Sequence, residues 1–360
     1  MKRTRGRVVH VESLADFDRR LAAGASSMSG WRVGSVDLSE RTAELLGRQL
    51  SGASFLACTF APGVVERLEA AGALVLPGSA AMPVDVHRTR LYTPDELYDD
   101  PSYAASLDGR AFAWSQRPFD PDAALAQVLH DHAIDQALAA WVHPRRIVGV
   151  MGGHAVQRGE PSYADAARLG HRLGTSHVLA TGGGPGAMEA GSLGARFAGR
   201  PTADLEVALE LLAGVPSFRP SVEDWVRVAF EVNRRFPGGA ESLGIPTWHY
   251  GHEPTNVFAT TIAKYFRNAT REAILVQVCD AGIVFLPGLG GTVQEVFQDA
   301  CENYYADESS VAPMVLVGAS YWTETLPAWP LLQSLARGRV MEGHVHLVDS
   351  VDEAAALIAQ

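Results

Sequence analysis

Two short stretches constrain this chain more than any other part of it. Each is an apolar strand run that breaks at glycines and passes into a helical pattern. The first is Val178-Leu179-Ala180, followed by Thr181-Gly182-Gly183-Gly184-Pro185-Gly186-Ala187-Met188-Glu189-Ala190. The second runs from Ile283 to Leu286 and on through Pro287-Gly288-Leu289-Gly290-Gly291-Thr292-Val293-Gln294-Glu295. Glycines at such a junction let the backbone approach a ligand, and the first N–H groups of the helix point at it, which makes an anion site. Two such turns in one parallel sheet place a phosphorylated ligand across the C-terminal ends of the strands.

The flanking pattern supports that sheet. Asp120-Pro121 starts a helix that runs to about Trp141, with Asp as cap and Pro at the first helical position. Arg146 to Met151 is a buried-strand run closed by Gly152-Gly153, and Pro161 to Gly170 has helical spacing. Leu205 to Leu212 and Val222 to Phe236 are helical, and Gly244 to Trp248 is a short strand. A long helical pattern is expected from about Asn256 to about Val278. Met314 to Gly318 and His344 to Val348 are strands, each followed by a helix. Strands alternating with helices predict a doubly wound, mostly parallel α/β sheet of Rossmann-like type over residues 119–360. Residues 1–118 form a separate small α/β region, with strands at Val8–Val11, Ser54–Cys58 and Ala73–Leu76. Helices are expected there at Ser13–Ala22 and Pro62–Ala71, and an irregular connection over 77–118. No internal repeat stands out.

Charge and cysteine usage narrow the function. The 360 residues carry 30 basic and 41 acidic side chains, a net charge of −11. Non-specific nucleic-acid binding needs a basic surface, so it is excluded. Three widely spaced cysteines, Cys58, Cys279 and Cys301, with no CxxC pair point to reduced thiols in the cytoplasm rather than disulfides or zinc. No apolar run reaches the roughly 20 residues of a membrane helix. The basic start, Met1 to Arg7, lacks the apolar segment of a secretory signal.

Several patterns compete over the chemistry. Gly182-x-Gly184-x-x-Ala187 fits the dinucleotide fingerprint, but the acidic residues at the right distance, Asp204 and Glu206, open a helix instead of ending a strand. No GxxxxGK[ST] occurs, which removes the P-loop. Thr292-x-x-Glu295 reads either as a capping box or as a carboxylate facing a nucleotide, able to stabilise an oxocarbenium-like ribosyl centre or to handle a proton. Lys264, Arg267 and Arg271 fall on one stripe of the expected long helix, as a solvated face or as phosphate and ribose ligands. His249-x-x-His252-Glu253 lacks the spacing and third ligand of a zinc site, so no metal is expected.

Residues 145 to 360 resemble the LOG (Lonely Guy) family of nucleoside 5′-monophosphate phosphoribohydrolases. The PGGxGTxxE pattern stands here as Pro287 to Glu295, and the GGG-x-x-G-x-M loop as Gly182 to Met188. Pro161-Ser162-Tyr163, Tyr321-Trp322 and Pro330-Leu331-Leu332 fall in similar places. The resemblance implies hydrolysis of a nucleoside monophosphate to free base and ribose 5-phosphate, without cofactor, by a homodimer or higher homo-oligomer. It implies Glu295 as catalytic carboxylate and Arg271 as catalytic arginine, with Arg267 as second candidate. It implies a substrate-binding set of Gly152, Gly153, Gly183, Gly184, Gly186, Met188, Asn256, Gly288, Gly290, Gly291 and Thr292. Leu289 replaces the second glycine of PGG, the usual Arg-Lys pair is missing, and residues 199–243 form a longer insert than in the compact members. The N-terminal region is similar to that of the larger bacterial nucleotide nucleosidases. A non-catalytic nucleotide or molybdenum-cofactor carrier of the same fold is the competing class.

Overall fold

The computed structural model describes residues 8–76, 82–249 and 253–359. The chain divides into two compact units, Met1–Thr89 and Arg90–Gln360. Residues 90–118, expected with the N-terminal region, thus belong to the larger unit.

In the smaller unit, β1 (Val9–Val11), β2 (Trp31–Gly34), β3 (Ser54–Leu56) and β4 (Leu74–Leu76) form a parallel sheet in the order of the chain. The helices α1 (Leu14–Ala22), α2 (Thr42–Leu46) and α3 (Val65–Ala70) lie between successive strands in the sequence. The registers pair Val9 with Trp31, Ser54 with Arg32, and Leu74 with Ser54. Each strand therefore returns after 20 to 22 residues, within the range of strand–helix repeat proteins. This corrects the expectation of no repeat. The signal is a small residue and a glycine before each strand: Ser29-Gly30, Ser51-Gly52 and Ala71-Gly72. All three glycines take positive φ, and Gly30 N–H donates to Gly52 O while Gly52 N–H donates to Gly72 O. The side chains between the strands have drifted too far for pattern matching, which also hid β2. Phe17, Trp31, Val33, Phe55 and Leu68 fill the core of this unit.

The larger unit opens with α4 (Pro94–Leu97), α5 (Leu107–Ser115) and α6 (Pro121–Val142). Then come β5 (Ile147–Met151), α7 (Pro161–Leu173), β6 (Val178–Thr181), α8 (Ala187–Arg196), α9 (Thr202–Ala213) and α10 (Val222–Arg235). The chain continues through β7 (Ser242–Gly244), β8 (Thr261–Ile262), α11 (Asn268–Gln277), β9 (Ile283–Phe285) and α12 (Gly290–Tyr305). It ends with β10 (Met314–Val317), α13 (Ala328–Ala336), β11 (Val345–Val348) and α14 (Val351–Ile358). The seven strands are parallel in the order β11-β10-β9-β5-β6-β7-β8. This is the expected doubly wound α/β sheet. Strands β5, β9 and β10 are buried throughout, as apolar runs covered on both faces must be.

The order of strands matters for function. The chain leaves β5 toward β6 on one side and returns to place β9 on the other. At such a switch point the flanking connections diverge to opposite faces and open a crevice at the strand C-termini.

The expected long helix over 256–278 does not form. Thr261-Ile262 instead makes the edge strand β8, and α11 starts only at Asn268. The β-branched run Thr260-Thr261-Ile262 suits a strand better than a helix. Lys264, Arg267 and Arg271 consequently share no helical stripe. Lys264 is buried, and its Nζ lies 2.6 Å from both Asp108 Oδ1 and Thr255 Oγ1. Trp248 Nε1 donates to the same carboxylate, as does the Tyr103 hydroxyl. Burial pushes the Lys264 ammonium below its ordinary pKa, and Asp108 pulls it back.

Removing one member of a buried ion pair strands the other charge. Lys264→Met should destabilise the protein by about 3–5 kcal/mol. Lys264→Met combined with Asp108→Leu should cost less than Lys264→Met alone. Urea denaturation followed by tryptophan fluorescence checks both, and a double loss equal to the sum of the Lys264→Met and Asp108→Leu losses would show that the pair is not coupled.

Candidate active site

Three loops meet at the switch point. Gly152-Gly153 follows β5, the turn Gly182–Gly186 follows β6, and Pro287-Gly288-Leu289 follows β9. Gly153 ties the other two together: its N–H donates to Pro287 O at 3.1 Å, and its carbonyl accepts from Ala187 N–H at 3.1 Å. Gly186 has φ +74°, and a Cβ there would lie 2.4 Å from the Gly153 oxygen. A Cβ on Gly288 would lie 2.2 Å from Thr292 Oγ1. Side chains at either position would push the turns apart.

Asn256, expected at the substrate, holds the first turn in place. Its backbone N–H donates to Gly183 O and its Nδ2 to Gly184 O. Its Oδ1 accepts from the N–H groups of Phe258 and Ala259. The residue is fully buried. Met188 lies over the same turn, with Sδ and Cε 2.7 and 3.0 Å from where Cβ atoms of Gly182 and Gly184 would sit.

Helices α8 and α12 begin at these turns without a side-chain cap, on Gly186 and Leu289 respectively. The first N–H groups of α12 are therefore available to an anion, while in α8 the Ala187 N–H is already given to Gly153 and those of Met188 and Glu189 remain. The two starts differ in charge. The first turn of α8 carries Glu189, while that of α12 carries no acid, and the space beside Gly290 and Gly291 is open. The start of α12 is thus the less acidic and the more open of the two. Leu289 takes φ −101°, outside the positive-φ region that calls for glycine. Its side chain is 69 % exposed.

The helix start removes one of the two readings of Glu295. Because α12 begins at Gly290, Thr292 is its third residue and no capping box forms. Glu295 lies in the second turn, only 7 % exposed, with Oε1 3.8 Å from Nη1 of Arg271. Burial pushes the Glu295 carboxyl up to about 8; the Glu272 charge adds to the rise and Arg271 opposes it. Arg271 comes from α11 and is itself buried. It is pinned by Glu272, with Nη2 and Nη1 3.2 and 3.3 Å from the two carboxylate oxygens. The Nη1 atom is also 3.6 Å from the Cβ position of Gly182, so the guanidinium flanks the first glycine turn. Its Nε is buried with no hydrogen-bond partner among the described residues. The pair can therefore present a donor fork and a carboxylate of shifted pKa to one crevice.

Arg267 does not join this pair. It is exposed at the N-cap of α11, and its backbone N–H donates to Asp131. One turn beyond Glu295, Asp299 is buried beside Asn303, and burial raises its pKa strongly. Sequence reasoning also missed Glu272, adjacent to Arg271, and the Arg158–Glu189 pair beneath the first turn, with Nε and Oε2 at 3.1 Å. The His249–His252 pattern falls partly outside the described residues. Among those described, no group of three His, Cys, Asp or Glu could hold a metal ion, and no helix is long and apolar enough to cross a membrane.

No family model and no curated protein matches the chain. Solved structures do. The molybdenum cofactor binding protein of Rippkaea orientalis is 21 % identical with a TM-score of 0.36, over 60 % of this chain and 96 % of that one. The Moco carrier protein of Chlamydomonas reinhardtii is 20 % identical with a TM-score of 0.37, over 60 % and 96 %.

The raised pKa of Glu295 has a signature in stability. From about pH 4.5, its ordinary value, up to about 8, the folded chain holds this proton and the unfolded chain does not. The contribution of Glu295 to stability is thus full below pH 4.5 and falls as pH rises, by at most about 1.4 kcal/mol per unit. Urea denaturation across this range should show wild type losing stability relative to Glu295→Gln; Asp299 is common to both and cancels. Parallel curves would mean that Glu295 titrates normally.

Proposed function

We propose that the larger unit hydrolyses the N-glycosidic bond of a nucleoside 5′-monophosphate, giving free base and ribose 5-phosphate. The observation that carries this reading is the buried Arg271–Glu295 pair at the switch point, between two uncapped helix starts. The start of α12 receives the 5′-phosphate through the N–H groups of Gly290, Gly291 and Thr292. Arg271, held by Glu272, orients phosphate and ribose. As ionised carboxylate, Glu295 stabilises the positive charge that develops at C1′ and takes a proton from the attacking water. The water oxygen bonds to C1′, the bond from C1′ to the base breaks, and the base leaves with its electron pair and acquires a proton. The resemblance to the LOG family supports the same assignment and adds a homo-oligomer as the working form.

Ribose 5-phosphate release from a panel of nucleoside monophosphates tests the proposal. Glu295→Gln should abolish it, and Arg271→Ala should reduce kcat/KM by about 100-fold or more. Because the reaction needs Glu295 ionised, kcat/KM should rise with pH through about 8, the value set mainly by burial. Binding of nucleotides without any release would assign the chain to the carriers instead.

A further inference from the structure

The first glycine turn has a second side that the proposed reaction has not used. Along the turn, Gly182 lies against Arg271, Gly184 against Glu253, and Gly186 against His154. A Cβ on Gly184 would be 3.9 Å from Glu253 Oε2, and one on Gly186 would be 2.7 Å from the His154 carbonyl. Beyond Gly186 opens a cavity of about 310 Å³, at the small end of the volumes that hold small molecules. Pro185 and Gly186 form one wall, and Phe218 with Trp225 another. Phe218 meets Trp225 edge-on at 6.3 Å and carries the Arg219 guanidinium at 5.5 Å.

The charges make this a poor place for a phosphate. Glu189 and Glu253 both line it against one arginine, Arg219, whose guanidinium lies over Phe218, and the nearby buried Arg158 is already paired with Glu189. Aromatic faces with polar groups at their edges suit a flat heterocycle. Glu253 makes no hydrogen bond among the described residues, and His154 Nε2 lies 3.8 Å from its Oε1. A carboxylate so placed can only accept, so it favours a ring that offers N–H donors at its edge.

We propose that this cavity is the pocket for the leaving base, stacked along Phe218 and read by Glu253 through an exocyclic amino group. The proposal rests on the nucleotide reading above and adds the class of base: guanine, whose N1–H and 2-amino group can both meet one carboxylate, ahead of adenine, cytosine, hypoxanthine and uracil, which offer one donor group each at that edge. It also fixes the direction of the substrate, phosphate at α12, ribose beside Arg271 and Glu295, and base past Gly186.

Calorimetric titration on the Glu295→Gln background separates binding from turnover. The probes are AMP, GMP, CMP, IMP, UMP and ribose 5-phosphate, with Phe218→Ala and Glu253→Gln as added changes. Phe218→Ala should weaken the nucleotides by about tenfold or more and leave ribose 5-phosphate within about twofold, which also reports an intact fold. Glu253→Gln should weaken GMP more than AMP, CMP, IMP or UMP. Equal losses for nucleotides and ribose 5-phosphate would place phosphate or sugar in the cavity and overturn the proposal. So would unchanged nucleotide affinity in both variants, or no nucleotide binding at all. Wild type that binds nucleotides in this pattern yet releases no ribose 5-phosphate would sink the hydrolase reading alone and leave the base pocket standing.

Discussion

A single residue holds the candidate site together. Gly153 sits at the end of the central strand β5, and its N–H and C=O reach in opposite directions, to the turn after β9 and to the start of α8. The neighbouring strands of the switch point are thereby fixed to each other at their C-terminal ends, where a parallel sheet otherwise only diverges. The two bonds require the three backbones to lie in contact, and this is the requirement that Gly186 and Gly288 satisfy. Asn256 repeats the principle from the far side, spending its carboxamide on the same turn.

The electrostatics follow from that enclosure. Glu295 is near the positive end of α12, which favours its charge, and it faces an arginine. Desolvation outweighs both. Arg271 cannot fully compensate, since Glu272 takes two of its nitrogens at shorter range than Glu295 does. One guanidinium shared unequally between two carboxylates leaves Glu295, the more distant of them, poised near neutrality. A group in that condition changes its charge readily when a ligand brings charge of its own.

Much of this was legible in the sequence. The apolar runs of β5, β9 and β10, the glycine turns and Glu295 stand out because their causes are local: covered strands need unbroken apolar stretches, and close loops need glycine. Other features depend on partners far along the chain. Nothing near Lys264 announces Asp108, which lies 156 positions earlier, so a buried cation read as part of a solvated or ligand-binding stripe. The helical pattern over 256–278 was misleading because β8 is only two residues long, too short for an alternation to register. Glu253 sits in a loop, where no periodicity marks it. In the smaller unit, the repeat survives in backbone conformation at Gly30, Gly52 and Gly72 more than in side-chain identity.

The two units respond differently to insertion and loss. In the smaller one every strand pairs with its immediate neighbours in the chain, so a coil of about 20 residues can be duplicated or deleted with only its two contacts remade. The larger sheet has no such freedom, because removing β6 or β9 would dissolve the crevice itself. Over evolutionary time the first unit can therefore vary in length while the second keeps its strand order, and differences in length among relatives would collect in the coils at the N-terminal end.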